Sequence, residues 1–248
     1  MSLRDTEREQ NIVFYESQQT RVTYRQIRNR LRDIEVVFLA EAVQSLQKPV
    51  HAISMLDLGC GTGRTTLPLA NQGFNVIGLD LSWGLLNDLH GQGSQIGVVQ
   101  ADASSLPFAA QRFDIVLFSH NGLDCIFPLA SRQMALREVA RVLRKDGFFI
   151  FSSHALPYVP YNLETVWLVL KNILHGQISF FSGYFSDWRA QGVLTTYAAT
   201  LNVVRAQLGE AGFVLLRHSK TVELRERWKT NLLSYLSWER YYLAQKVG

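Results

Sequence analysis

The chain is short of cysteine, of long apolar runs and of charge of one sign, and each shortage removes a class of protein. Its two cysteines, Cys60 and Cys125, cannot build a disulfide framework and belong to no CxxC pair, so a reducing interior is the natural setting. No uninterrupted apolar stretch approaches the roughly 20 residues of a membrane span. The first ten residues, MSLRDTEREQ, are polar and charged where a secretory signal carries apolar side chains. A cytoplasmic protein with no membrane partner is therefore expected. The 25 Lys and Arg residues against 21 Asp and Glu leave a net charge of +4. That excess tolerates an anionic partner but gives nucleic acid little footing. Four histidines, His51, His90, His175 and His218, show no metal-ligand spacing, and no metal is expected.

What is present points to one large globular domain, or a domain with a cap: 248 residues, 47% hydrophobic and 19% charged. Five short apolar runs end on polar or acidic residues: ISMLDLG (53–59), FNVIGLD (74–80), IGVVQAD (96–102), FDIVLFSH (113–120) and FFIFSSH (148–154). Near-continuous apolar strands of this kind fit a parallel sheet covered on both faces. RQMALREVARVLRKDG sets Leu136, Val139, Ala140 and Leu143 on one helical face, with Arg144 and Lys145 in the last turn and Gly147 as the stop. Strand and helix in alternation predict a doubly wound α/β fold. The segment 81–95, broken by Gly84, Gly91 and Gly93, is the weakest helix of the series.

The loop LDLGCGTGRTT (56–66) places three glycines directly after the first strand, where bare backbone N–H groups can approach a ligand at the carboxyl edge of the sheet. A dinucleotide fingerprint needs a third glycine at position 64, which is arginine. DLGCGTG, from Asp57 to Gly63, instead resembles the first motif of the class I S-adenosylmethionine-dependent methyltransferases. The later runs resemble the family's further motifs in order and spacing, covering about residues 53–154.

The resemblance implies a Rossmann-like, mostly parallel seven-stranded sheet with helices on both faces and a cap inserted after strand 5. It divides the chain into a flanking helical segment or lid (1–50), a cofactor-binding core (51–154), a cap insertion (155–200) and the last helix with the closing strands (201–248). The implied cofactor is S-adenosylmethionine, with S-adenosylhomocysteine as product. Asp57, Gly59, Cys60, Gly61, Thr62, Gly63, Asp80, Leu81, Asp102, Ala103 and Ser119 are the implied cofactor residues. Asp80 would take the ribose hydroxyls, since one carboxylate can accept from two vicinal donors, and Asp102 the adenine amino group. An acceptor that carries a proton needs a base, and His120 and His154 at strand ends are the candidates. Cys60 between glycines and Cys125 read as packing residues.

The expected reaction is methyl transfer to a small-molecule acceptor. An RNA- or protein-modifying methyltransferase and a non-catalytic cofactor-binding protein are the alternatives, and a homodimer is left open. Tyr24, Ile27, Leu31, Ile34 and Phe38 recur at three and four and predict an amphipathic helix whose arginines 21, 25, 28, 30 and 32 lie largely elsewhere. Its face serves either an anionic partner or packing on the sheet. Pro68 predicts a late or irregular start for the helix after the glycine loop. The aromatic-rich 155–200 segment is expected to cover the crevice, with HGQ (175–177) and SGYFSDW (182–188) suited to a moving lid.

Overall fold

The computed structural model describes residues 3–27, 29–92, 96–156, 182–189, 192–220 and 239–248. The expected HGQ segment and the first half of the cap, 157–181, lie outside the described residues. Strands β1 (Ser54–Leu58), β2 (Asn75–Asp80), β3 (Gly97–Gln100), β4 (Phe113–Phe118) and β5 (Leu143–Leu156) run parallel in the order β3-β2-β1-β4-β5. The chain fills one side of β1 first and then the other, so the crevice between β1 and β4 is the topological switch point where open α/β sheets bind ligands. β8 (Phe213–Lys220) and β9 (Glu239–Lys246) close the far side antiparallel, β9 lying against β5.

Side chains alternate between two cores. In β1, Leu56 and Leu58 enter one cluster while Met55 enters the other; in β5, Phe149 and Phe151 oppose Phe148 and Ile150. All of these are buried, which is why the strands read as unbroken apolar runs. One face is covered by α6 (Leu129–Val142) and α7 (Leu201–Glu210), the other by α3 (Asp33–Leu46).

The sheet has nine strands among the described residues, not the expected seven, because the cap region supplies a hairpin, β6 (Ser182–Arg189) and β7 (Gly192–Thr200). SGYFSDW is strand, not lid loop. β4 stays paired with β5 only as far as Phe118 opposite Phe151, whereas β9 continues to Glu239 opposite His154. β7 also pairs with β5 at His154, opposite Ala198. A strand residue has one partner on each edge, so β7 occupies the edge that β4 leaves free. The hairpin therefore stands beyond the carboxyl end of β4.

Two of the expected helices differ from expectation. The 24–38 segment is not one helix: α2 (Gln18–Arg25) ends at Arg25, and α3 begins at Asp33. Arg32 N–H donates to Glu35 Oε2 at 2.7 Å, which satisfies an orphan donor at the start of α3, and Asp33 and Glu35 suit its N-terminal dipole. Arg21 and Arg25 meanwhile hold α2 against Asp88 of α5 (Trp83–His90). α6 stops at Val142, five residues before Gly147, because Leu143 already pairs with Phe113 and Arg144 is drawn to Asp114 at 2.7 Å. The 81–95 segment does form α5, and its Gly84 has a packing reason: a Cβ there would meet Glu16 Oε2 at 2.9 Å and Arg21 at 3.0 Å. α4 (Thr66–Asn71) starts as late as Pro68 predicts, with the proline in the first turn, where its missing N–H costs nothing.

Two buried acids fix the glycine loop. Asp57 Oδ2 accepts from the hydroxyls of Thr65 and Thr66, both at 2.6 Å, which folds the loop back over β1. Glu35, 1% exposed, accepts from both guanidinium arms of Arg64 (2.6 and 3.0 Å), from Tyr241 Oη at 3.0 Å and from Ser119 Oγ. Burial pulls the Glu35 carboxyl upward, but these donors outweigh it and hold it below its ordinary range. Arg64, the residue that broke the dinucleotide pattern, thus ties the loop to α3, β4 and β9.

Burial pushes the Asp57 carboxyl up to about 6. Between about pH 4 and pH 6 the native state then binds a proton that the unfolded chain releases, so the contribution of Asp57 to stability falls as pH rises through that window. Asp57→Asn is expected to gain on the wild type by up to about 3 kcal/mol from pH 4 to pH 7 in urea unfolding; a difference independent of pH would contradict this. Glu35→Ala leaves Arg64 without its counter-charge and is expected to cost about 3–5 kcal/mol in the same assay, with Glu35→Gln losing less.

Candidate functional site

At the carboxyl ends of β1, β2 and β4 lies a cavity enclosing about 1000 Å³ of empty space including its mouth. Its floor is backbone at Gly59 and Gly61; Asp80 ends β2 and Leu81 follows it, Asp102 and Ala103 follow β3, and Ser119 and His120 follow β4. Helix α1 (Leu3–Glu16) forms the roof with Arg8, Asn11, Ile12 and Tyr15. Strand ends that are distant in sequence meet here because parallel strands in register place their carboxyl ends along one edge.

The two acids are held differently. Asp80 Oδ2 accepts from Gly61 N–H at 2.8 Å and Oδ1 from Ser82 N–H at 2.9 Å, so the carboxylate is aligned by the very loop it faces. Burial raises its pKa against those backbone donors. Asp102 Oδ1 accepts from Ser104 N–H (2.8 Å) and Ser104 Oγ (2.7 Å), and Arg8 Nη2 lies 2.6 Å from Oδ2. Burial again works upward, but the Ser104 and Arg8 donors prevail and lower the Asp102 pKa.

The turn after β4 is strained. His120 and Asn121 both adopt left-handed backbone, with φ of 56° and 57°, a conformation that non-glycine residues keep where the surroundings impose it, often at functional sites. The His120 ring meets Tyr24 edge-to-face at 6.0 Å, and Tyr24 meets Tyr15 at 6.1 Å, so an aromatic chain runs from the roof to the end of β4.

Asp57, Cys60, Thr62 and Gly63 do not line the cavity, although the sequence groups them with the cofactor residues. Asp57 supports the loop from beneath. The Cys60 thiol is buried, which raises its pKa well above the ordinary value and leaves no nucleophile. Thr62 donates to Tyr24 O at 3.2 Å, and Gly63, at φ 93°, turns where a Cβ would strike Leu89 at 2.4 Å. His154 also lies outside the lining. It is buried, with Nδ1 2.9 Å from Asp124 Oδ2 and Nε2 3.2 Å from Asn121 Nδ2, and Asp124 in turn pairs with the buried Arg132 at 2.9 Å. Sequence reading missed Arg8, Asn11, Tyr15 and Tyr24. No motif marks them, and only the packing of α1 and α2 brings them to the cavity.

Residues 56–151 match the family model described as a methyltransferase domain. A demethylmenaquinone methyltransferase of Paenarthrobacter aurescens is 32% identical over 117 residues, 46% of this chain and 45% of that protein. The match spans under half the length of that relative. A methyltransferase structure from Methanosarcina mazei, described as dependent on S-adenosylmethionine, covers 83% of this chain and 97% of its own at a TM-score of 0.65 and 18% identity. The 1,6-didemethyltoxoflavin-N1-methyltransferase of Burkholderia thailandensis, solved with S-adenosylhomocysteine, covers 100% and 92% at a TM-score of 0.64 and 16% identity. At these identities the structural likeness is one of fold. Residues 56–151 thus match a methyltransferase domain, and the glycine loop, Asp80 and Asp102 gather at one cavity within a fold shared with S-adenosylmethionine-dependent methyltransferases.

Proposed function

We propose that the protein transfers the methyl group of S-adenosylmethionine to a small-molecule acceptor. The observation that carries this reading is the convergence of bare loop backbone, Asp80 and Asp102 on one cavity under α1. The donor set fits the cofactor: Asp80 keeps free lone pairs for ribose hydroxyls, Asp102 offers an acceptor to an adenine amino group, and Gly59, Gly61 and Ser119 leave room for the methionyl end. When bound, the cofactor supplies an electrophilic sulfonium methyl group. The protein's part is then alignment of the acceptor in line with the methyl group and exclusion of water, an effect that can supply about 7–11 kcal/mol of the barrier.

The acceptor side of the cavity, with Ile12, Tyr15, Ile126 and Phe127, is apolar and aromatic, which supports a flat, weakly polar acceptor. The relative named for demethylmenaquinone is compatible with such a substrate. Where the acceptor atom carries a proton, His120 on the cavity wall is in position to take it. His154, behind Asn121 and oriented by Asp124, is the second candidate base.

Calorimetric titration with S-adenosylhomocysteine tests the cofactor reading. Asp80→Ala is expected to abolish detectable binding, and His120→Ala to retain it within a few-fold of wild type. Loss in both variants would move His120 from the acceptor to the cofactor. Incubation of metabolite extracts with methyl-labelled cofactor, followed by identification of the labelled product, then names the acceptor; an extract series without enzyme-dependent label would contradict the proposed reaction.

A further inference from the structure

Helix α1 is fastened to the body of the protein by several contacts, among them the buried Phe14 and Tyr15 Oη at 3.2 Å from Cys125 Sγ, and the two nearest its middle and N-terminal end differ in chemistry. Asn11 is 5% exposed; its Nδ2 donates to Cys125 O and Thr195 O, both at 2.9 Å, and its Oδ1 accepts from Thr195 N–H at 2.8 Å. This clamp is uncharged and its amide is bonded at both ends, so salt leaves it alone and opening it leaves three backbone groups and the Asn11 amide without these partners. One turn earlier, Arg8 meets Asp102 at 2.6 Å with side-chain exposures of 51% and 27%. An ion pair this exposed is weak, screened by salt and quick to open. α2, by contrast, is held by Arg21 and Arg25 on Asp88, a carboxylate only 3% exposed. The labile fastening of the N-terminal arm therefore lies at the cavity, on the acid read as the adenine acceptor.

We propose that Arg8 is a latch: its ion pair with Asp102 closes the N-terminal half of α1 over the adenosyl end of the pocket, and opens for cofactor entry and product release while the Asn11 clamp stays shut. The inference rests on the cofactor reading above. Ser104 fixes the Asp102 carboxylate through Oδ1 and leaves Oδ2 facing α1. A carboxylate oxygen accepts more than one hydrogen bond, so the adenine amino group and Arg8 share Asp102 without exclusion. Bound adenine also screens the pair from water, which strengthens it once the pocket is filled. Lids are drawn from weakly fastened segments, and release of product through them commonly limits turnover.

The test is the dissociation rate of S-adenosylhomocysteine from the full chain, read by stopped flow from 50 to 500 mM NaCl. This probe is zwitterionic, so its own charge adds little salt dependence. Wild type is expected to release it faster as salt rises. Arg8→Ala is expected to release it about fivefold faster at low salt and to lose the salt dependence, with Arg8→Lys between the two. Arg217→Ala removes an exposed ion pair with Glu41 on α3, away from the cavity lining, and is expected to match wild type. An Arg8→Ala rate equal to or below wild type, or one with the same salt dependence, overturns the latch. Failure of wild type to bind the probe at all would instead overturn the cofactor reading, and the latch with it.

Discussion

The buried carboxylate of Glu35 is the constraint on which the site depends. It collects Arg64 from the glycine loop, Ser119 from the end of β4, Tyr241 from β9 and the Arg32 N–H at the start of α3. An isolated charge in that position would be very costly, and the cost is offset only when every donor is in place at once. The knot therefore specifies geometry more than it adds stability. It sets the loop, the end of β4, β9 and α3 relative to one another.

A contrast in burial separates what stays from what moves. Glu35, Asp57, Asp124 and Arg132 lie in the interior with their partners, and elements tied by them are fixed. Arg8 and Asp102 meet at the surface of the same site. The pocket thus has a rigid floor, made by strand ends and the glycine loop, and a roof whose outer edge rests on a contact that water can replace. Beside it, the β6–β7 hairpin takes the edge of β5 that β4 leaves free.

Much of the core was legible because its signals are local. Five apolar runs became five parallel strands, and the acids at the ends of two of them, Asp80 and Asp102, arrived at one cavity because parallel strands share a carboxyl edge. Helix bounds were less legible. The 24–38 stripe is periodic, yet one helix ends at Arg25 and the next begins at Asp33, since Asp88 and Glu35 hold the two to different surfaces. α6 ends early because strand pairing at Leu143 competes with helix propagation and prevails.

By itself the sequence determined the alternation of strand and helix, the bare turn after β1 and the acids at the strand ends, because apolar periodicity, glycine and the end of an apolar run act within a few residues of one another. Only the tertiary structure decided that Asp57 supports the loop instead of facing the cavity, that Arg64 belongs to Glu35, and that Arg8, Asn11 and Tyr15 complete the site. Those outcomes depend on which faces of distant segments are buried together, and no local spacing encodes the direction in which a side chain finds its partner across a hundred residues of chain.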